Sequence, residues 1–303
     1  MNRAARNVVK RFWETFRWYA GRFVFFLDSI NEKARWNMNA NNNIYTKLTK
    51  CFILGLTSFL VTHEAGAGDG VSSAEIVGYY KQDLVSGKLN MGGISFLPCD
   101  AGKTTFNLNT DLAFENLTPG QGGGDGDEIM VWDPRTSGYT YFYYYNDGNP
   151  EYTGWYGLLD ETPELEAGTA FWYYSPVKTA TPKSTVVSGV VEMEPSVTDV
   201  ITGGKLNMLI SAYPDKIELN NTASIEFENL TPGQGGGDGD EIMVWNPKTS
   251  GYTYFYYYND GNPEYMGWYG LLDEEPVLTA NTAFWFLAQK GDGKTVTYKN
   301  QTK

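Results

Sequence analysis

The chain contains a long stretch of itself. Residues 114–161 and 227–274 are 48-residue blocks set 113 positions apart, and they differ only at Asp133/Asn246, Arg135/Lys248 and Thr153/Met266. Two stretches so alike take the same local structure, so whatever fold serves the first has to serve the second. Flanking matches extend the duplication: Gly87-Lys88-Leu89-Asn90-Met91 returns as Gly204-Lys205-Leu206-Asn207-Met208, and Ala170-Phe171-Trp172 as Ala283-Phe284-Trp285. Further upstream, Gly78-Tyr79-Tyr80 aligns loosely with Gly189-Val190-Val191. The period far exceeds that of solenoid repeats, so each copy is long enough to enclose its own core. Two tandem units are expected, over residues 76–186 and 187–303.

Each unit reads as strands. Glu128-Ile129-Met130-Val131-Trp132 leads through the Pro/Gly turn from Asp133 to Gly138 into Tyr139-Thr140-Tyr141-Phe142-Tyr143-Tyr144-Tyr145, a hairpin whose aromatic residues suit a pleated surface. A later strand, Ala170-Phe171-Trp172-Tyr173-Tyr174, follows Gly168, and Asn281 stands where the first copy has that glycine. Gly and Asn tolerate positive φ best, which predicts a left-handed turn there. Thr185-Val186-Val187 and Thr295-Val296-Thr297 are candidate closing strands, and no helical period longer than a few residues follows residue 68. The expected class is all-β, with one small antiparallel sandwich or barrel per unit.

These motifs, the opening from Gly87 to Asn90, the strand from Gly126 to Trp132, the tyrosine ladder and the strand from Leu165 to Trp172, carry a resemblance. The chain resembles an uncharacterised class of aromatic-rich β repeats of secreted bacterial proteins, bracketed by a "GWNLIS"-like start and a "PG-x-x-FW"-like end. It departs from that class at Lys88 and Lys205, which stand where the class has tryptophan. The resemblance implies an extracellular, non-catalytic repeat and transfers no catalytic residues.

The N-terminal part points to the same compartment. Residues 38–67 read as a signal peptide, with Lys47 and Lys50, an apolar run from Cys51 to Val61 and a small-residue end at Ala65-Gly66-Ala67. Met38 would open such a signal, which makes residues 1–37 a doubtful extension from a mis-assigned start; the rival reading of 1–37 is a basic amphipathic helix on a membrane surface. Residues 1–67 carry 10 basic against 4 acidic side chains, leaving 13 against 32 in residues 68–303. So acidic a mature chain is repelled by nucleic acid, and it contains no membrane span. The lone histidine, His63, falls within the signal, which excludes imidazole-based chemistry from the mature chain, and Cys99 is expected as a small buried or half-buried residue, the alternative being an intermolecular disulfide.

Three constellations bear on binding. The loop from Gln121 to Glu128 sets Asp125, Asp127 and Glu128 among glycines, and recurs with Asp238, Asp240 and Glu241; hard cations want many oxygens on a flexible backbone, so a calcium site competes with a plain polar connection. No other cofactor is expected. A second loop, with Asp147, Asn149 and Glu151, would complete such a site if the two met, although turn chemistry explains each of its residues. Tyr139, Tyr141, Tyr143 and Tyr145 share one strand face while Phe142 and Tyr144 share the other, which means a two-sided core or an exposed stacking platform. Trp155 and Tyr156, with their copies Trp268 and Tyr269, are the expected exposed members of a glycan platform; Trp132 and Trp172 are assigned to the core. The first functional expectation is a secreted, non-catalytic structural or interaction module with an unidentified protein or polysaccharide partner. The alternative is a glycan-binding module, calcium-assisted or not, and the third is a carboxylate-based glycoside hydrolase.

Overall fold

The computed structural model describes residues 76–159, 161–176 and 181–301, all within one compact unit. The expected extension 1–37 and signal peptide 38–67 lie outside the described residues.

The chain is all β. In the first half the strands are β1 (Val77–Leu84), β2 (Leu89–Gly93), β3 (Thr105–Asn107), β4 (Ala113–Glu115), β5 (Glu128–Asp133), β6 (Gly138–Tyr145), β7 (Gly154–Gly157), β8 (Glu164–Glu166), β9 (Ala170–Tyr174) and β10 (Lys183–Val190). Their counterparts in the second half are β11 (Ser196–Val200), β12 (Leu206–Ile210), β13 (Ile217–Glu218), β14 (Ile225–Glu228), β15 (Glu241–Asn246), β16 (Gly251–Tyr258), β17 (Gly267–Gly270), β18 (Val277–Leu278), β19 (Ala283–Leu287) and β20 (Thr295–Lys299). The first half forms a three-stranded sheet, β1-β10-β4, a five-stranded sheet, β2-β9-β5-β6-β7, and the ribbon β3-β8; the second half repeats these orders as β11-β20-β14, β12-β19-β15-β16-β17 and β13-β18. Pairing is antiparallel throughout and stays within each half.

Strand period explains the core. Ile129, Phe142, Phe171 and Tyr173 point from one face of the five-stranded sheet to meet Leu84 and Val187 of the three-stranded sheet, with Phe106 and Leu165 of the ribbon closing the side. The second half packs Ile242, Phe255, Phe284 and Phe286 in the same way against Val296 and Tyr298. Gly168 and Asn281 have φ of 81° and 57°, the left-handed turn expected at that place. The expected boundary at 186/187 falls inside β10, however, because that strand runs on to Val190 beside β1, where Gly78 is the partner of Gly189 rather than its equivalent. The connector is residues 191–195. Of the two cysteines, Cys51 lies outside the described residues.

A third apolar cluster joins the halves through the opposite faces of the two five-stranded sheets. Met91, Ala170 and Trp172 pack with Ile210, Ala283 and Trp285, and Met130, Trp132, Tyr139, Met243, Trp245 and Tyr252 surround them. The contacts are reciprocal. Trp132 meets Trp285 edge-on at 5.6 Å and Trp172 meets Trp245 edge-on at 5.6 Å. The Trp132 indole donates to the Leu206 carbonyl at 2.7 Å, and that of Trp245 to the Leu89 carbonyl at 2.8 Å. Lys88 donates to the Ser250 hydroxyl at 2.7 Å, Lys205 to that of Ser137 at 2.8 Å. Among the described residues no helix is long and apolar enough to cross a membrane.

One carboxyl opposes folding at neutral pH. Burial pushes Asp199, on β11, up to about 6. A folded value above the ordinary one means that the favourable contribution of the protonated form is complete below about pH 4 and is lost as pH rises through about 6. Asp199→Asn cannot ionise, so thermal unfolding scans should show a higher midpoint than wild type near pH 7 and no difference near about pH 4; an equal shift at both would assign the effect to packing instead of charge.

Candidate functional site: two tyrosine strips

The five-stranded sheet is wider than the contact between halves, and the remainder of its outer face is half-exposed, with Glu128 buried and Tyr143 and Tyr145 partly covered. Register places Glu128, Tyr143 and Tyr156 in one row across β5, β6 and β7, and Met130 and Tyr141 in the next. Leu158 continues beside Tyr141 through its amide bond to the Tyr141 carbonyl at 3.0 Å. Trp132 and Tyr139 form the row buried against the other half. The tyrosines therefore divide by position: Tyr139 belongs to the cluster between halves, whereas Tyr141, Tyr143 and Tyr145 lead away from it toward Tyr156, which is 37% exposed. Tyr156 contacts Tyr143 at 6.1 Å and Tyr145 edge-on at 6.2 Å. In the second half Tyr269 sits 6.1 Å from Tyr256 and 6.2 Å from Tyr258, again 37% exposed. Each strip ends in a projecting leucine, Leu159 or Leu272, both 80% exposed.

Trp155 and Trp268 are not part of these strips. Successive residues of a strand point to opposite faces, so with Tyr156 outward Trp155 must turn inward. It is 2% exposed and packs on Phe114 at 5.0 Å; Trp268 does the same on Phe227. Both are core. β7 is an edge strand, and the side chain of Asn109 covers its outward backbone, accepting from the Trp155 amide at 2.6 Å and donating to the Trp155 carbonyl at 3.1 Å. Asn220 serves Trp268 identically, at 2.7 and 2.9 Å. An edge satisfied in this way is a poor template for a further strand.

The acidic glycine-rich loop is a folded wall beside the strip. A Cβ on Gly120 would come within 2.4 Å of the Gly126 amide nitrogen, and one on Gly126 would strike Gly120 in return, so the loop's ends close only with glycine at both. Its carboxylates are already engaged. Asp125 accepts from the Gln121 amide at 2.9 Å, and Glu128 from the Gly124 amide at 2.6 Å. Asp127, fully buried, accepts from the Thr118 amide at 2.8 Å and holds the Lys183 ammonium at 2.6 Å. The second copy repeats this, with Asp238 on Gln234, Glu241 on Gly237 and Asp240 on Lys294 at 2.7 Å. The six carboxylates expected as calcium ligands thus face separate amide and ammonium donors, and among the described residues no group of three or more His, Cys, Asp or Glu side chains is placed to hold a metal ion. In the second loop Asp147 and Asn149 accept from the amides two residues on, at 2.9 and 3.1 Å, which is turn chemistry.

Lys183 and Lys294 escaped the sequence reading, because a lysine before a closing strand looks like a solvated charge. The signal was their shared place ahead of Ser184-Thr185 and Thr295-Val296. The strip's tyrosines border polar groups. The Tyr145 hydroxyl lies 3.4 Å from an Asp147 oxygen, and that carboxylate holds the phenol's proton on more tightly than usual; Tyr258 is matched with Asp260 at 3.3 Å. Each strip offers apolar ring surface with a carboxylate at its rim, Asp147 or Asp260.

Comparison with family models, with curated proteins and with solved structures found no match.

The buried ion pairs supply a direct stability test. Lys183→Met strands the Asp127 charge in the interior, and a loss of about 3–5 kcal/mol is expected in urea unfolding, part of which Asp127→Asn should restore in the double variant. A loss under about 1 kcal/mol would mean that the pair does not anchor the loop.

Proposed function

We infer that the protein is a secreted, non-catalytic interaction module whose two tyrosine strips bind a repetitive extracellular ligand, and that the ligand is polysaccharide. The observation that carries this reading is the half-exposed strip itself, built twice from the same residues on the outer faces of the two five-stranded sheets. Sugar rings have apolar CH faces that suit flat aromatic surfaces and polar edges that suit Asp147 and Asp260. The side chains stand on strands, so they are held in place before a ligand arrives, which lowers the ordering cost of binding. Two weak sites on one chain gain from engaging one polymer, by about 10²-fold or more where both can be occupied.

A pull-down on insoluble polysaccharides, with a glycan array beside it, tests the reading. Tyr145→Ala with Tyr156→Ala removes one strip, and Tyr258→Ala with Tyr269→Ala the other. Loss of one strip should lower retention about 10- to 100-fold and loss of both should abolish it, while the melting temperature stays within a few degrees of wild type. Full retention by the quadruple variant would end the proposal. Binding of the wild type to a protein partner alone would replace polysaccharide with protein as the ligand class.

A further inference from the structure

We propose that the face joining the two halves is also an assembly surface between chains: the protein forms a dimer with a second copy of itself by exchanging halves, the first half of each chain packing on the second half of the other. The contact within one chain already has the reciprocity of a two-fold interface. Trp132 and Trp245 each donate to a carbonyl of the opposite half, Lys88 and Lys205 each donate to a serine of the opposite half, and the edge-on indole pairs match at 5.6 Å. The duplication includes this face. Outside the 48-residue block, the match of Lys88 to Met91 with Lys205 to Met208 supplies Leu89, Met91, Leu206 and Met208 to it, and that of Ala170 to Trp172 with Ala283 to Trp285 supplies two alanines and two tryptophans. A self-complementary face requires such sameness on both sides.

The symmetry is broken at one point, and this selects the pairing. Gly93 ends β2 where Ile210 ends β12, and a Cβ on Gly93 would lie 2.7 Å from Ile210 Cδ1. Ile210 fills the space that the glycine leaves. Two first halves would face each other across a void, and two second halves would bring two isoleucines together, so a first half is matched only to a second half. The match does not depend on which chain supplies them. A closed exchanged dimer keeps the contacts between the sheets of the two halves and reroutes residues 191–195, which in the monomer hold to both halves through the Val191 amide on the Ile76 carbonyl at 2.7 Å and the Tyr213 hydroxyl on the Glu194 carbonyl at 2.7 Å. So short a connector is the usual setting for exchange, and the intramolecular form dominates below the tethered halves' effective concentration, of millimolar order. An exchanged dimer presents four tyrosine strips where the monomer presents two.

The test uses the full chain, unlabelled and isotope-labelled protein being mixed in denaturant, refolded at about 1 μM or about 1 mM, and sized by chromatography with light scattering. A species of doubled mass containing both labels is expected at the higher concentration alone. A flexible Gly/Ser insert after Val191 should lower its yield, because a relaxed connector favours folding back within one chain, and Gly93→Ile should remove it. Monomer at both concentrations overturns the proposal. So does a dimer indifferent to the insert, a result that stands even if Gly93→Ile fails to fold.

Discussion

Both faces of each five-stranded sheet are apolar, and much of this molecule follows from that constraint. A sheet of this kind cannot leave two faces in water. One face is covered by the three-stranded sheet of its own half, and most of the other by the indoles and methionines of the opposite half. Burying one indole removes about 150–250 Å² from water, worth roughly 4–6 kcal/mol as an upper bound before ordering costs. Four such rings, Trp132, Trp172, Trp245 and Trp285, meet in one cluster. A connector of residues 191–195 therefore joins bodies that already hold one another.

What remains uncovered is determined by the same packing. The contact between halves takes β2, β9, β5 and the start of β6, and their counterparts, which leaves the outer side of the end of β6 and of β7 bordered only by the glycine-rich loop of the same half. The tyrosines of that remainder have polar tips, so they tolerate water at one end while keeping a flat apolar ring. Asn109 and Asn220 close the backbone edge beyond them, which directs recognition to side chains instead of to strand addition. The Lys183–Asp127 pair fixes the root of the glycine-rich loop against the closing strand, so the wall beside the strip is tied to the core.

Much of this was legible in the residues. The alternation of Tyr139, Tyr141, Tyr143 and Tyr145 against Phe142 and Tyr144 announced a sheet used on both faces, and Gly168 with Asn281 marked a left-handed turn. The site was harder to see. Trp155 and Tyr156 looked like a single aromatic pair, although the strand period that located the ladder also sends neighbours to opposite faces. Asp125, Asp127 and Glu128 looked like cation ligands because a sequence shows carboxylates without the amide and ammonium groups that fold back on them. Lys183 finds Asp127 from 56 residues away, and no local pattern reveals that distance closing. The Gly93/Ile210 match lies between halves and could emerge only once their faces were brought together.

Held together by the tryptophan face, the two halves should unfold as one cooperative structure. Scanning calorimetry of the full chain should show a single transition with calorimetric and van't Hoff enthalpies in agreement, and a split into two transitions when Trp132 and Trp245 are both replaced by alanine. Two independent transitions in the wild type, each carrying about half of the total enthalpy, would contradict it.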